Sequence, residues 1–313
     1  QPMSVDIKTA AARPLRHICT PRAAVAAALL AAAGVACATE GGGSIYPLGT
    51  ENYGCCALPP PGLYGMVFAQ RYSADKVRGN DGQVVTPPTF EVTAYAVVPR
   101  IVWVSPITLA GASLGVHAIV PVVNLDVDVA PGVGQSRTGL GDIVIGSVLG
   151  WHHSPQLHSL VAFDVFAPTG KYDRNDLANI GRNHWAIQPV AGISYIDPKG
   201  LNADAKVMWT YNLENKDTNY KSGQEFMVDY ALGWGLGNGW TVGVGGYLYR
   251  QLNDDKRNGA TVAANKSRAV AIGPSVKYDS GKGWFVTAKW QAESAVRNRA
   301  DGSALWLKAV FPL

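Results

Sequence analysis

The chain has 313 residues, a formal net charge of +4, 47% hydrophobic residues and only 16% charged ones, against roughly 25% charged in an average globular protein. That balance excludes a disordered chain, which needs low hydrophobicity and high net charge, and the lack of a dense Lys/Arg patch excludes nucleic acid as a partner. The 35 glycines and 9 tryptophans beside so few charges point toward strands and a membrane.

Residues 1–38 read as a secretory signal. Arg13, Arg16, His17 and Arg22 form a basic lead, Ala23 to Val35 an apolar stretch, and Ala36-Cys37-Ala38 an A-x-A cleavage site, so the mature chain is expected to start at Thr39. The apolar stretch falls short of the roughly 20 residues a spanning helix needs. A lipobox at Gly34-Val35-Ala36-Cys37 lacks the large aliphatic residue three before the cysteine. Losing the signal leaves 23 basic against 22 acidic residues, which carries no charge-based partner signal. Cys55 and Cys56 remain as neighbours. Export permits oxidation, a bond between neighbours is strained, and a vicinal disulfide, an intermolecular pair and two buried thiols all stay open.

Residues 39–61 carry no strand pattern: Gly41-Gly42-Gly43-Ser44 leads into Pro59-Pro60-Pro61. Preceding the first strand, they sit at the periplasmic mouth, to fold into the lumen as a plug or hang free as a tether; their apolar side chains (Ile45, Tyr46, Leu48, Tyr53, Leu58) call for burial and favour the plug.

From 62 onward, alternating segments recur between turn residues: 62–73, 91–104, 109–120, 138–152, 157–168, 184–197, 201–212, 223–236, 240–251, 267–279, 284–294 and 302–312. Five connections are short and built from turn formers: Ser105-Pro106, Ser154-Pro155, Asp197-Pro198-Lys199-Gly200, Gly237-Asn238-Gly239 and Asp279-Ser280-Gly281-Lys282-Gly283. The six between them, 74–90, 121–137, 169–183, 213–222, 252–266 and 295–301, are mostly longer and more polar. A soluble sandwich has no reason to alternate loop length in this way. An outer-membrane barrel does, with short periplasmic turns and long extracellular loops. The expected fold is therefore an all-β, transmembrane antiparallel β-barrel of about 12 strands over 62–313, in the bacterial outer membrane.

Alternation also assigns faces. Leu201, Ala203, Ala205, Val207, Trp209 and Tyr211 oppose Asp204, Lys206 and Thr210; Phe226, Val228, Tyr230, Leu232, Trp234 and Leu236 oppose Asp229; Trp284, Val286, Ala288 and Trp290 oppose Thr287 and Lys289. The apolar faces tend to end in Trp or Tyr, as interfacial girdles do. Leu305, Leu307, Ala309, Phe311 and Leu313 carry the pattern to the last residue.

Six stretches, taken in order, are similar to the outer-membrane family encoded with meta-cleavage phenol degradation pathways, the phenol MetA-pathway family. They are Glu40-Gly41-Gly42-Gly43-Ser44, Ala57-Leu58-Pro59-Pro60-Pro61-Gly62, Thr138-Gly139-Leu140-Gly141-Asp142, Phe166-Ala167-Pro168-Thr169-Gly170-Lys171-Tyr172, Ala178-Asn179-Ile180-Gly181-Arg182-Asn183 and Gly283-Trp284-Phe285-Val286-Thr287-Ala288-Lys289-Trp290. The resemblance covers essentially all of 39–313. It implies a twelve-stranded channel for small, often hydrophobic or aromatic growth substrates, and no catalytic residues. Outer-membrane proteins in general usually end in Phe, as a signal for assembly, whereas this chain ends Phe311-Pro312-Leu313.

The inward faces collect Arg100, His117, Asp142, Asp164, His184, Asp204, Lys206, Glu225, Asp229, Lys277, Lys289 and Lys308. A charge facing lipid at midplane costs about 2–4 kcal/mol, so these are expected to line the lumen, either selecting a solute or filling a narrow interior. Pro99, Pro189 and Pro274 lie inside strands, in phase with outward apolar residues. Proline cannot donate to the ladder, so a kink or bulge is expected at one or more of them, either one that only shapes curvature or a side opening through which a hydrophobic solute would leave the lumen. Gly233, Gly235, Gly237, Gly239, Gly243, Gly245 and Gly246 cluster on one hairpin; without a following helix they mark close backbone approach and not a phosphate loop. His152, His153 and His158 flank a turn and read as interfacial. With Ser154 they would make a hydrolase only if a third, orienting group joined them. The sequence thus points to a non-enzymatic, monomeric channel for passive uptake of small organic solutes, without cofactor or metal, bordered by outer-membrane lipid and lipopolysaccharide. The alternatives are a barrel enzyme hydrolysing lipids or esters and a structural barrel without transport role.

Overall fold

Period-two alternation becomes, in the computed structural model, one closed antiparallel barrel of twelve strands. Residues 39–86 and 89–313 are described, so the expected signal over 1–38 lies outside the described residues. The strands are β1 Gly62–Arg78, β2 Glu91–Leu109, β3 in two pieces (Ala112–Ile119 and Val122–Ala130), β4 in two pieces (Val133–Leu140 and Ile143–His152), β5 Leu157–Ala167, β6 Ala186–Ile196, β7 Leu201–Asn212, β8 Glu225–Gly235, β9 Trp240–Gln251, β10 Arg268–Asp279, β11 Phe285–Arg297 and β12 Arg299–Pro312. Each pairs with its neighbours, and β1 closes the ring by pairing with both β2 (Gly65↔Ile101) and β12 (Gly65↔Phe311). Ring closure pairs strand to strand all round, the one way strands can satisfy their backbone in lipid; only the outer piece of β4, Val133–Leu140, has a strand partner on one side alone. Among the described residues no helix is long and apolar enough to cross a membrane.

The outward face is an apolar belt: Ile101, Ile145, Leu232 and Ile272 are each more than half exposed. A soluble protein would bury such residues. Trp103, Tyr195, Trp234, Trp240 and Trp284 stand near the short turns, and Tyr95, Trp185, Trp209 and Tyr211 toward the loop end. These are the two aromatic girdles of a membrane barrel.

Three connections differ from the sequence reading. The first short turn is Ala110-Gly111, not Ser105-Pro106. Both residues have positive φ (51° and 75°), as a two-residue hairpin requires, and Ser105-Pro106 sits in a bulge between Val104 and Thr108. The expected loop 121–137 is a hairpin that lengthens β3 and β4; Val122 pairs with Leu140 and Asp128 with Gly134. Its alternation was masked because its outward residues above the membrane are polar, among them Asn124, Asp126 and Asp128. The expected loop 295–301 shrinks to Asn298, at φ 50°.

Register is unbroken at Pro99, Pro189 and Pro274, so the bulge expected there is absent. Each instead costs ladder pairs on one side: no pairing joins Gln188-Pro189 to Trp209-Thr210, or Gly273-Pro274 to Trp290-Gln291. Pro99 faces the real interruption. There β3 breaks at Val120-Pro121 and β4 at Gly141-Asp142, with one extra residue on β4 between the pairs Val122↔Leu140 and Ile119↔Val144. A bulge of this kind bends the strand.

Candidate functional site

Residues 39–61 thread the barrel interior from the loop end to the turn end. Thr39 lies under the extracellular loops, where its amide donates to the buried Asp255 carboxylate (2.9 Å). That carboxylate also accepts from the Gly223 amide (2.6 Å), Gln251 Nε2 (2.7 Å), Asn265 Nδ2 (2.8 Å) and the Tyr220 hydroxyl. Burial pushes the Asp255 carboxyl above its ordinary value, while these donors pull it down. Glu40 is held by Asn215 Nδ2 (2.8 Å) and by the Ser222 hydroxyl, which accepts its amide (3.2 Å).

Lower down, Asp229 accepts the Tyr46 hydroxyl (2.7 Å) and the amides of Gly49 (3.0 Å) and Glu51 (2.9 Å). Asp204 accepts the amides of Gly54 and Cys55, and Ser194 Oγ accepts the Cys56 amide (3.0 Å). Asn52 Nδ2 donates to Ser275 Oγ (2.8 Å), and Gln291 Nε2 to the Leu48 carbonyl. The segment, which has no ladder, thus finds its hydrogen bonds on inward side chains of the wall, as buried backbone must.

Wall glycines receive its bulk. A Cβ at Gly233 or Gly243 would strike the Tyr53 hydroxyl, one at Gly192 the Cys56 sulfur, and one at Gly150 the Leu58 side chain. The glycine cluster on β8–β9 is therefore the close-approach surface read from the sequence, and what approaches is the segment as well as the neighbouring strands. Cys55 and Cys56 are free thiols with sulfurs 2.7 Å apart, Cys56 fully buried.

One carboxylate dominates the middle. Glu51, 4% exposed, faces Arg100 Nη1 (3.4 Å), Lys206 Nζ (3.4 Å) and Lys308 Nζ (3.2 Å), and Lys289 Nζ donates to its backbone carbonyl (2.7 Å). Removing one partner from a buried ion pair costs about 3–5 kcal/mol, because the other is left uncompensated.

The structure brings eight of the twelve inward candidates into this cluster or against the segment: Arg100, Asp204, Lys206, Asp229, Lys289, Lys308 and, through Arg100, His117 and Asp164. Arg100 Nη2 lies 3.1 Å from His117 Nδ1, whose Nε2 is 3.1 Å from Asp164. The others lie apart. Lys277 pairs with Asp279 (3.1 Å) near the turn end. His184 and Glu225 both bind Asn212 beneath the loops. Asp142 accepts the amides of Gly170 (2.9 Å) and Arg182 (2.7 Å), tying a loop to the broken wall. Sequence reasoning missed Glu51, a single acid in a strandless stretch, although it is the only charged residue of 41–61. It also missed Pro121.

The turn histidines form local pairs: His152 with His158 (Nδ1–Nδ1 2.7 Å), and His153 with Ser159. Ser154 Oγ accepts the amides of Gln156 and Leu157, which is the work of a turn cap.

A family model described as "Putative MetA-pathway of phenol degradation" matches residues 74–309. The COG4313 outer membrane channel from Pseudomonas putida F1 shares the fold at a TM-score of 0.74 and 18% identity, over 82% of this chain and 97% of that one. The translocator domain of autotransporter NalP from Neisseria meningitidis is more distant, at a TM-score of 0.47 and 11% identity over 82% and 91% of the two chains. No protein of curated function matches the chain in sequence. The chain belongs to the phenol MetA-pathway family, and its fold is that of an outer-membrane barrel.

Proposed function

We propose that this member of the phenol-degradation family is a channel through which small hydrophobic or aromatic organic molecules cross the outer membrane passively, as a single barrel, without catalysis or cofactor. The observation that carries the reading is that the barrel interior is filled by a strandless length of the chain's own N-terminus, held by wall side chains and not by the ladder. A barrel of about eight strands is filled by its own wall side chains, and a wider one leaves an interior to occupy. Above Glu51 one sector of the wall buries Val144, Phe166, Val190, Met208 and Met227 inward, with the polar Gln188, Thr210 and Glu225 next to them toward the loops, so a solute entering there meets hydrocarbon and thioether surface beside hydrogen-bonding groups. Residues 39–61 act as a plug, the inward charges set which solutes and ions pass, and the wall break at Val120-Pro121 and Gly141-Asp142 is the place for an apolar solute to leave sideways.

Ser154 spends its oxygen on two turn amides, which argues against the hydrolase. The test is paired: conductance in a planar bilayer, and phenol entry into liposomes. Entry faster than into empty liposomes, together with a small conductance, supports the channel. Phenol entry no faster than into empty liposomes would overturn it, and turnover of a lipid ester lost on Ser154→Ala would install the enzyme.

A further inference from the structure

The four cations around Glu51 come from four strands far apart in sequence: β2, β7, β11 and β12. They converge on the only charged side chain that the threaded segment brings to mid-barrel. Arg100 Nε is buried without a hydrogen-bond partner. Asp164, Asp204 and Asp229 lie among these cations, yet Asp164 is engaged with His117, and the hydrogen bonds on Asp229 and Asp204 come mostly from the segment itself. When the segment leaves, Arg100, Lys206 and Lys308 lose the Glu51 carboxylate together, and Lys289 loses the Glu51 backbone carbonyl it donates to. Asp164, Asp204 and Asp229 stay behind, three carboxylates against four cations, so one positive charge is left in excess, and a single anion in the place of Glu51 balances it.

Apolar surface surrounds the charge. Lys308 Nζ lies over the rings of Phe68 (5.9 Å) and Phe285 (5.5 Å), and Lys206 over that of Tyr46 (5.7 Å). Tyr46 and Leu48 pack, next to Glu51, in the same cluster as Val190, Met208 and Met227. Glu51 and its neighbours thus present a carboxylate beside aromatic and aliphatic bulk, which is the chemistry of a small amphipathic acid.

We propose that Glu51 stands in for the carboxylate of a transported solute. Arg100, Lys206, Lys289 and Lys308 form a carboxylate-binding site, and an aromatic or short alkyl monocarboxylate that occupies it displaces the N-terminal segment. The proposal rests on the channel reading and names an anionic substrate class for it. A phenol or hydrocarbon, having no carboxylate, would pass without competing for this site.

The test uses the purified full-length barrel with 4-phenylbutyrate and its neutral analogue 4-phenylbutanol. Affinities are measured by calorimetry for the unaltered protein, for Glu51→Gln, and for Glu51→Gln combined with Lys206→Gln and Lys308→Gln, with folding checked by heat-modifiable gel mobility. Removing the internal competitor is expected to tighten 4-phenylbutyrate by about tenfold or more, roughly 1.4 kcal/mol, and to leave 4-phenylbutanol unchanged; the two lysine changes should reverse the gain. A second readout needs no variant: 4-phenylbutyrate, and not 4-phenylbutanol, should speed labelling of Cys55 and Cys56 by a maleimide. The proposal is overturned if Glu51→Gln leaves 4-phenylbutyrate affinity unchanged or tightens both compounds alike, if the gain survives loss of the lysines, or if the two compounds speed labelling equally. Phenol entry into liposomes is scored separately. If it persists while these arms fail, the channel stands and the carboxylate site falls; if it fails, the channel reading itself is wrong.

Discussion

Between β7 and β9 the wall is an uninterrupted ladder, paired residue by residue from Glu225↔Thr210 to Trp234↔Leu201 and from Glu225↔Gln251 to Gly235↔Thr241. Between β2 and β5 the same barrel is interrupted at Ser105-Pro106, Val120-Pro121 and Gly141-Asp142. In the second sector a loop supplies what the ladder lacks. The Lys171 amide donates to the Leu140 carbonyl (3.3 Å) and the Ile143 amide to Thr169 Oγ1 (2.9 Å), while Asp142 takes the amides of Gly170 and Arg182. Farther out, Asp176 holds Arg137 (2.5 Å) and Gln135 (2.7 Å) on the piece of β4 that has no strand partner toward β5. Ladder bonds are lost only with the barrel; side-chain ties to a loop can be exchanged one at a time. The first sector is held by the ladder alone, the second by a ladder with breaks that a loop spans.

The largest effect should come from the contents both sectors enclose. Deleting 39–58 is expected to raise single-channel conductance several-fold, since the segment fills the narrow interior that twelve strands leave; unchanged current would mean the sectors themselves close the lumen. Next, Lys289→Glu with Lys308→Glu should move the reversal potential toward cation preference under a salt gradient, because inward charge sets ion selectivity. No shift would place the conducting path elsewhere. A smaller effect should separate the sectors. Asp142→Ala removes acceptors for two buried amides, a cost of about 1–3 kcal/mol, and is expected to increase hydrogen exchange over 168–184 and to speed entry of an apolar solute. Equal loosening of β7–β9 would show that the two sectors are one cooperative wall. The smallest effect belongs to proline. Pro99→Ala and Pro121→Ala should restore donors at the break and slow entry of an apolar solute while sparing ion conductance. Pro189→Ala and Pro274→Ala, which face strands without a break, should change neither.

What the sequence made legible follows from range. Strand existence and facing are local: Val207 and Trp209 look out and Lys206 looks in because side chains alternate, and no distant residue is needed to see it. The turn at Ala110-Gly111 was hidden because alanine seldom takes positive φ, whereas Ser-Pro advertises a turn that here became a bulge. The β3–β4 extension was hidden because Asp126 and Asp128 on an outward face look like loop once the strand has risen above the lipid. The centre of the site was hidden for a different reason. Glu51 meets residues 49 to 257 positions away, brought to it only by closure of the ring, and no spacing along the chain records that meeting. The inward lysines were visible as a face; the carboxylate they surround was not.

The account turns on whether the N-terminal segment lies inside the barrel. Cys55 and Cys56 are the cysteines of that segment, and they report on it without any substitution. Their reaction with a charged, membrane-impermeant maleimide should be slow in the folded barrel and complete after heat unfolding, because Cys56 is fully buried against Gly192 and Ser194. Labelling of the folded protein as fast as that of the unfolded chain would mean that the segment hangs free at the periplasmic mouth, and the account of a lumen closed by its own N-terminus would be wrong.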